Sequence, residues 1–185
     1  MDRRRSAHIL PEIYEATIDP SHWDYVITMI AKLTKSDSAC LYYVNKDLSI
    51  ASTIAQYGVP EDRQISFGEQ LDSLDQIFSN QNSSAPDDFN FTQFNPDDDG
   101  IISVHTDIYR DWMKPNGIHY AGGAQVVSTS SHKAGLVILR SKDKGEWSDG
   151  DVRVINELLP HFNRALKIHS EFTFLRLRQD ALLQG

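Results

Sequence analysis

The chain has 185 residues, 40% of them hydrophobic and 24% charged, a make-up that fits a globular domain with a real core. Eighteen Lys and Arg against 26 Asp and Glu leave a net charge of −8, which repels a phosphate backbone and argues against direct nucleic-acid contact by this segment. Cys40 is the single cysteine, so no internal disulfide can form, and neither a membrane span nor a signal peptide is legible. These features predict a cytoplasmic protein with no membrane partner.

Taken in chain order, Ile9, Ile13 and Ala16 fall on one helical face, and Asp19-Pro20-Ser21 ends that run. Ser21 or Asp19 then caps a second helix carrying Trp23, Val26, Ile27, Ile30 and Leu33. Ala39 to Val44 is short, apolar and aromatic, as a buried strand should be, and Ile50 to Tyr57 is its hairpin partner across Asn45-Lys46-Asp47. Gly58-Val59-Pro60 stops the second strand. Ile65 to Phe78 reads as a helix with Leu71, Leu74, Ile77 and Phe78 facing inward. Asn80 to Gly100 is polar and reads as one long loop, ordered where Phe89, Phe91 and Phe94 dock.

His105 to Met113 is predicted as a short helix, stopped by Lys114-Pro115-Asn116-Gly117. His119 to Thr129 and Ala134 to Ser141 form a second hairpin, joined by Ser130-Ser131-His132-Lys133. Trp147 precedes Ser148-Asp149-Gly150-Asp151, which opens a helix running to Leu183. Val152, Ile155, Leu159, Phe162 and Leu166 make one apolar stripe on it; Ile168, Phe172, Leu175 and Leu182 continue on a shifted one. Pro160 inside is expected to kink it. The order describes an α+β domain: an antiparallel sheet with helices on one side and at its ends.

Four stretches of this sequence resemble the N-terminal sensor domains of LuxR-type transcription regulators. They are Tyr109-Arg110-Asp111-Trp112-Met113-Lys114-Pro115-Asn116-Gly117-Ile118-His119-Tyr120, Asp19-Pro20-Ser21-His22-Trp23, Trp147-Ser148-Asp149-Gly150-Asp151, and Leu158-Leu159-Pro160-His161-Phe162-Asn163-Arg164-Ala165-Leu166. Each is short and none is a catalytic signature. The resemblance implies a PAS/GAF-like fold, a bacterial regulator, and a homodimer formed through terminal helices. It also implies a helix-turn-helix domain that would make the DNA contacts. The sequence stops at Gly185, where a linker to such a domain would begin, so either a longer regulator or a stand-alone sensor is expected. The expected division is 1–36 for the N-terminal helices, 37–147 for the sensor core and 148–185 for the long C-terminal helix.

Chemical signatures are sparse. Asn95, Asp97, Asp99 and Gly100 match half of an EF-hand loop, but position twelve is Thr106, so an acidic turn is the preferred reading. The histidines lack zinc-ligand spacing and read as solvated or hydrogen-bonded. Gly122-Gly123 lacks the further glycines of a dinucleotide loop and marks a bulge or a close backbone approach. No nucleophile elbow or Walker loop is present, so no enzyme, cofactor or metal is expected.

The aromatic group is the candidate site. Tyr42, Tyr57, Tyr109, Trp112, His119 and Tyr120 surround the predicted sheet and either line a cavity for a small organic ligand or fill a packed core. Tyr42 and Tyr43 are adjacent on a strand, so one alone faces inward, and the pattern leaves open which. Phe172, Leu175 and Leu182 are the expected dimer contacts, while Val152 to Leu159 is assigned to the domain's own core.

Overall fold

The computed structural model describes residues 6–45, 50–79, 91–96 and 107–183, with 50, 72, 75–77, 79, 92 and 170–183 as backbone alone, so the inward side chain expected of Ile77 lies outside the described residues. Helix α1 (Leu10–Glu15) is six residues long, far too short to stand by itself in water. Ile9, Ile13 and Ala16 anchor it, each fully buried. After it, the Ser21 amide and hydroxyl both donate to Asp19 Oδ1, at 3.0 and 2.7 Å. That Asx turn caps a 3-10 turn (Pro20–His22) leading directly into α2 (Trp23–Leu33). Trp23, Val26, Ile27, Ile30 and Ala31 form the buried face of α2, as the 3.6-residue period requires.

Strands β1 (Ser38–Asn45), β2 (Ile50–Tyr57), β3 (Thr92–Phe94), β4 (Tyr120–Ser128) and β5 (His132–Arg140) form one antiparallel sheet in the order β2-β1-β5-β4-β3. Two bulges shape it. Leu41 pairs with Ala55 but Tyr42 with Thr53, which leaves Ile54 as the extra residue; Gln125 pairs with Gly135 but Val127 with Ala134, which leaves Val126. In each case two successive side chains, Ile54 with Ala55 and Val126 with Val127, serve the same apolar layer.

Both faces of the sheet are covered, which corrects the expectation of helices on one side. On one face Ala39, Leu41, Ala124, Leu136 and Ile138 pack with α1, α2 and the long helix α4 (Asp149–Leu183). On the other, Cys40, Tyr42, Val44, Ala121, Val137 and Leu139 pack with α3 (Gln64–Ser79) and the turn around Trp112. The alternation settles the tyrosine pair: Tyr42 is fully buried beneath α3, and Tyr43 is half-buried with its ring stacked on His132.

Three further differences from the sequence reading have local causes. The loop expected from Asn80 to Gly100 contains β3, which pairs through Thr92↔Gly123 and Phe94↔Ala121. A three-residue strand is too short to show a period of two, and its neighbours suggest a loop. The segment expected as a helix up to Met113 is helical from Asp107, but it widens to a π-helical turn over Tyr109–Met113 and is followed by a 3-10 turn over Lys114–Asn116; His105 and Thr106 lie outside the described residues. Gly122-Gly123 is not a bulge. A Cβ at Gly122 would stand 2.2 Å from the Phe91 ring on one face, and one at Gly123 2.5 Å from the Phe78 ring on the other. Side chains, not backbone, make the close approach.

Helix α4 opens on a capping box. Ser148 Oγ accepts from the Asp151 amide at 3.2 Å and donates to Asp151 Oδ2 at 2.9 Å. Val154, Ile155, Leu158, Leu159, Phe162, Ala165 and Leu166 are buried, so core packing continues past Pro160 rather than stopping there. Pro160 is exposed and the helix runs through it unbroken. Two polar side chains fasten α4 to the sheet: Asn163 Nδ2 donates to Val126 O at 2.6 Å, and Asn156 Oδ1 accepts from the Phe91 amide at 2.8 Å.

Candidate functional site

Four chain segments converge where β1 begins and β2 and β5 end. They are Asp37-Ser38, Gly58-Val59-Pro60, Asn116-Gly117-Ile118 and Leu139 with Ser141. Arg63 and Phe67 from the start of α3 and Trp112 from the π turn close the side. Together they line a half-open cavity of about 270 Å³, just below the usual range of small-molecule sites at roughly 300–1,000 Å³. Its apolar wall is a tilted ring pair, Phe67 and Trp112, with centroids 5.6 Å apart.

Local chemistry holds each wall in place. Gly58 has φ +70 and a Cβ there would lie 2.0 Å from Asp37 O, so only glycine lets β2 leave the sheet beside the start of β1. Gly117, at φ +73, ends the 3-10 turn and returns the chain to β4. The Trp112 indole N–H donates to Ser66 Oγ at 3.4 Å, and Ser66 Oγ donates to Arg63 O at 3.0 Å. Asn116 Nδ2 donates to Trp112 O at 2.6 Å, and Arg63 Nη1 donates to Asn116 O at 3.3 Å. The Trp112 turn and the first turn of α3 are thus joined by polar bonds around the cavity.

The charges are unequal in their freedom. Asp37 Oδ2 accepts from the Ser141 amide and hydroxyl, both at 2.8 Å, and its Oδ1 lies 2.6 Å from Lys144 Nζ. Partial burial works against its charge, but those Lys144 and Ser141 bonds outweigh it and hold the carboxyl below the ordinary range. Cys40 is the opposite case: burial pushes its thiol up to about 12, so it is no thiolate nucleophile. Among the described residues no three His, Cys, Asp or Glu side chains are grouped as metal ligands would be. Of the EF-hand-like segment, residues 97–106 lie outside the described residues; Asn95 bonds through Nδ2 to Glu146 Oε1.

No protein-family model matches the sequence, and no curated protein matches it. Solved structures do resemble the fold. The VqsR LBD domain from Pseudomonas aeruginosa matches at TM-score 0.61 and 11% identity, over 90% of this chain and 96% of that one. The phycoerythrobilin-bound GAF domain of a cyanobacterial phytochrome matches at TM-score 0.59 and 11% identity, over 91% and 97%. The GAF domain of a phosphoenolpyruvate-protein phosphotransferase from Coxiella burnetii matches at TM-score 0.57 and 11% identity, over 96% and 98%. The fold is GAF-like.

Within this GAF-like domain the six aromatic residues singled out from the sequence do not form one site. Trp112 lines the cavity. Tyr42 is buried above Gly135, where a Cβ would meet its hydroxyl at 2.3 Å. Tyr109, His119 and Tyr120 form their own cluster: Tyr109 Oη and His119 Nδ1 share a hydrogen bond at 3.0 Å, and the His119 and Tyr120 rings meet edge-on at 4.6 Å. Tyr57 and Tyr120 are partly buried against the layer beneath α2 and α4. Sequence reasoning missed Arg63, Phe67 and Asp37. The turn signals at Gly58-Val59-Pro60 and Lys114 to Gly117 were legible, and loops at strand ends are where sites gather. Their convergence on one another was not. Phe172, Leu175 and Leu182 lie on α4 where side chains are outside the described residues.

Proposed function

We propose that this GAF-like domain is the ligand-sensing and dimerisation part of a LuxR-type transcriptional regulator, without enzymatic activity, whose DNA contacts lie in a domain other than this one. One observation carries the sensing role. The cavity of about 270 Å³ is walled by Trp112, Asn116, Gly117 and Ile118, all from the stretch whose sequence resembles LuxR-type sensor domains. Two of the structural neighbours support it, the VqsR LBD domain and the phycoerythrobilin-bound GAF domain. Both faces of the sheet are packed, as a pure interaction module would also have them, so the sensing role rests on this half-open cleft at the end of the sheet. Trp112 is the residue of the original aromatic set to which we assign ligand contact; Tyr42 and Tyr109 belong to the same packed layer as Trp112, and Tyr57 and Tyr120 to the layer on the other face of the sheet.

The output would run through α4. Its N-terminal half is packed into the sheet layer, with the His169 ring edge-on to Trp23 at 6.4 Å. The helix then continues to Leu183, about 20 Å further at 1.5 Å per residue. Phe172, Leu175 and Leu182 are proposed as the contacts between two copies, so that a ligand would shift how the helices pair. The test of sensing is native mass spectrometry of the purified protein together with a thermal-shift screen of small organic compounds. A co-purifying molecule, or a stabilising compound whose effect is lost in Trp112→Ala, is expected. No co-purifying molecule and no stabilising compound would remove the sensing role.

A further inference from the structure

The cavity also has an electrostatic character, and this inference rests on the sensing role proposed for the same site. Arg63 is half-buried at the cavity wall. A guanidinium carries five N–H donors in a rigid fork. Among the described residues its hydrogen bond is the single one from Nη1 to Asn116 O, at 3.3 Å. The acid among the lining residues is Asp37, and its two oxygens are taken by Lys144 and by Ser141. Glu61 and Asp62, on the 3-10 turn that ends at Arg63, are exposed and do not line the cavity. With Lys144 offsetting Asp37, the cavity keeps the Arg63 charge. Facing it is an apolar wall of Phe67, Trp112, Ile118 and Leu139.

We infer that the ligand is a small monocarboxylate with an apolar body of one ring or a short acyl chain. Its carboxylate would take the unoccupied fork of Arg63, and its body would lie against Phe67 and Trp112. A planar carboxylate matches the guanidinium fork bidentately, which a neutral hydroxyl cannot do. The volume of about 270 Å³, just below the usual small-molecule range of roughly 300–1,000 Å³, suits a body the size of one ring.

The test uses three probes of one shape and different charge: phenylacetate, 2-phenylethanol and 2-phenylethylamine. Their affinities for the whole chain are compared by isothermal titration calorimetry and ligand-observed NMR. The acid is expected to bind about tenfold or more tighter than the alcohol, the ratio that a charge-assisted bond supplies, and the amine more weakly still. Arg63→Gln should abolish the preference for the acid while leaving affinity for the alcohol, and Arg63→Lys should restore part of it; circular dichroism melts confirm that each variant is folded. An alcohol that binds as well as the acid, or an unchanged preference in Arg63→Gln, overturns the carboxylate inference and leaves a neutral ligand in the same cavity. Binding of none of the three also overturns it, and co-purification then decides independently whether the domain senses anything.

Discussion

The Arg140 guanidinium is 3% exposed, and what it touches explains why a charge is tolerated there. Its Nη1 donates to the carbonyls of Gly145 and Glu146, at 3.2 and 2.7 Å, and its Nη2 to Thr34 O. The plane sits 4.7 Å from the Trp147 ring centroid, and Asp151 is 3.8 Å away. Burial pulls its proton affinity down and the charges of Asp151 and Asp37 push it back up. One side chain therefore ties the end of α2, the end of β5 and the start of α4. Lysine can replace the charge but not the fork. We expect Arg140→Lys to lose on the order of 3 kcal/mol, because buried carbonyls are left without donors at roughly 1–3 kcal/mol each. Urea unfolding followed by tryptophan fluorescence measures this, and an unchanged midpoint would show that the contacts are not structural. The sequence at this position reads only as a cation ending a strand. Neither Thr34 nor Trp147 is near enough in sequence to reveal the partnership.

Among the elements, β5 shows how a glycine can belong to a strand. Gly135 faces Tyr42 across the β1–β5 pairing, and the tyrosine ring occupies the space a side chain would fill. Gly135→Ala is expected to destabilise by about 1–3 kcal/mol, the usual cost of overpacking a filled core, and thermal unfolding monitors it. The companion change Tyr42→Leu should relieve part of that cost, which a simple loss of strand propensity would not do. Most elements were legible because each long one repeats its apolar period several times. Helix α4 is assigned over Asp149–Leu183, as its cap and stripe predict, and the four long strands lie where apolar runs are bounded by turn residues. The exceptions are short. Strand β3 has three residues, and the π turn at Tyr109 differs from an α-helix in one hydrogen-bond step that no residue pattern encodes. The aromatic residues were recognisable as a class, but their division between two faces required knowing which strands pair.

At the scale of the whole molecule, the three segments 1–36, 37–147 and 148–185 share one core. Trp23 stacks on Phe162 at 5.8 Å, and Ser6 and Tyr14 bond to Glu157 and His161 respectively. The first apolar stripe of α4 is consumed by that core, so the dimerisation we propose would fall to the helix beyond His169. Multi-angle light scattering at micromolar concentration is expected to report a dimer. Replacing Phe172, Leu175 and Leu182 together by Ser should yield a monomer that keeps its fold by circular dichroism. A wild-type monomer would remove the dimer role from α4.

Periodicity, turn residues and caps determined by themselves that this chain is an α+β domain ending in a long amphipathic helix, because those signals act over a few residues and repeat. The cavity was decided by the tertiary structure alone. Asp37, Gly58, Arg63, Trp112, Asn116 and Ser141 are scattered along the chain, and only the antiparallel order β2-β1-β5-β4-β3 brings their loops to one end of the sheet. The same holds for which rings fill space and which border it. That depends on whether a glycine, such as Gly122, Gly123 or Gly135, stands opposite, a property of pairing register and not of any local stretch of sequence.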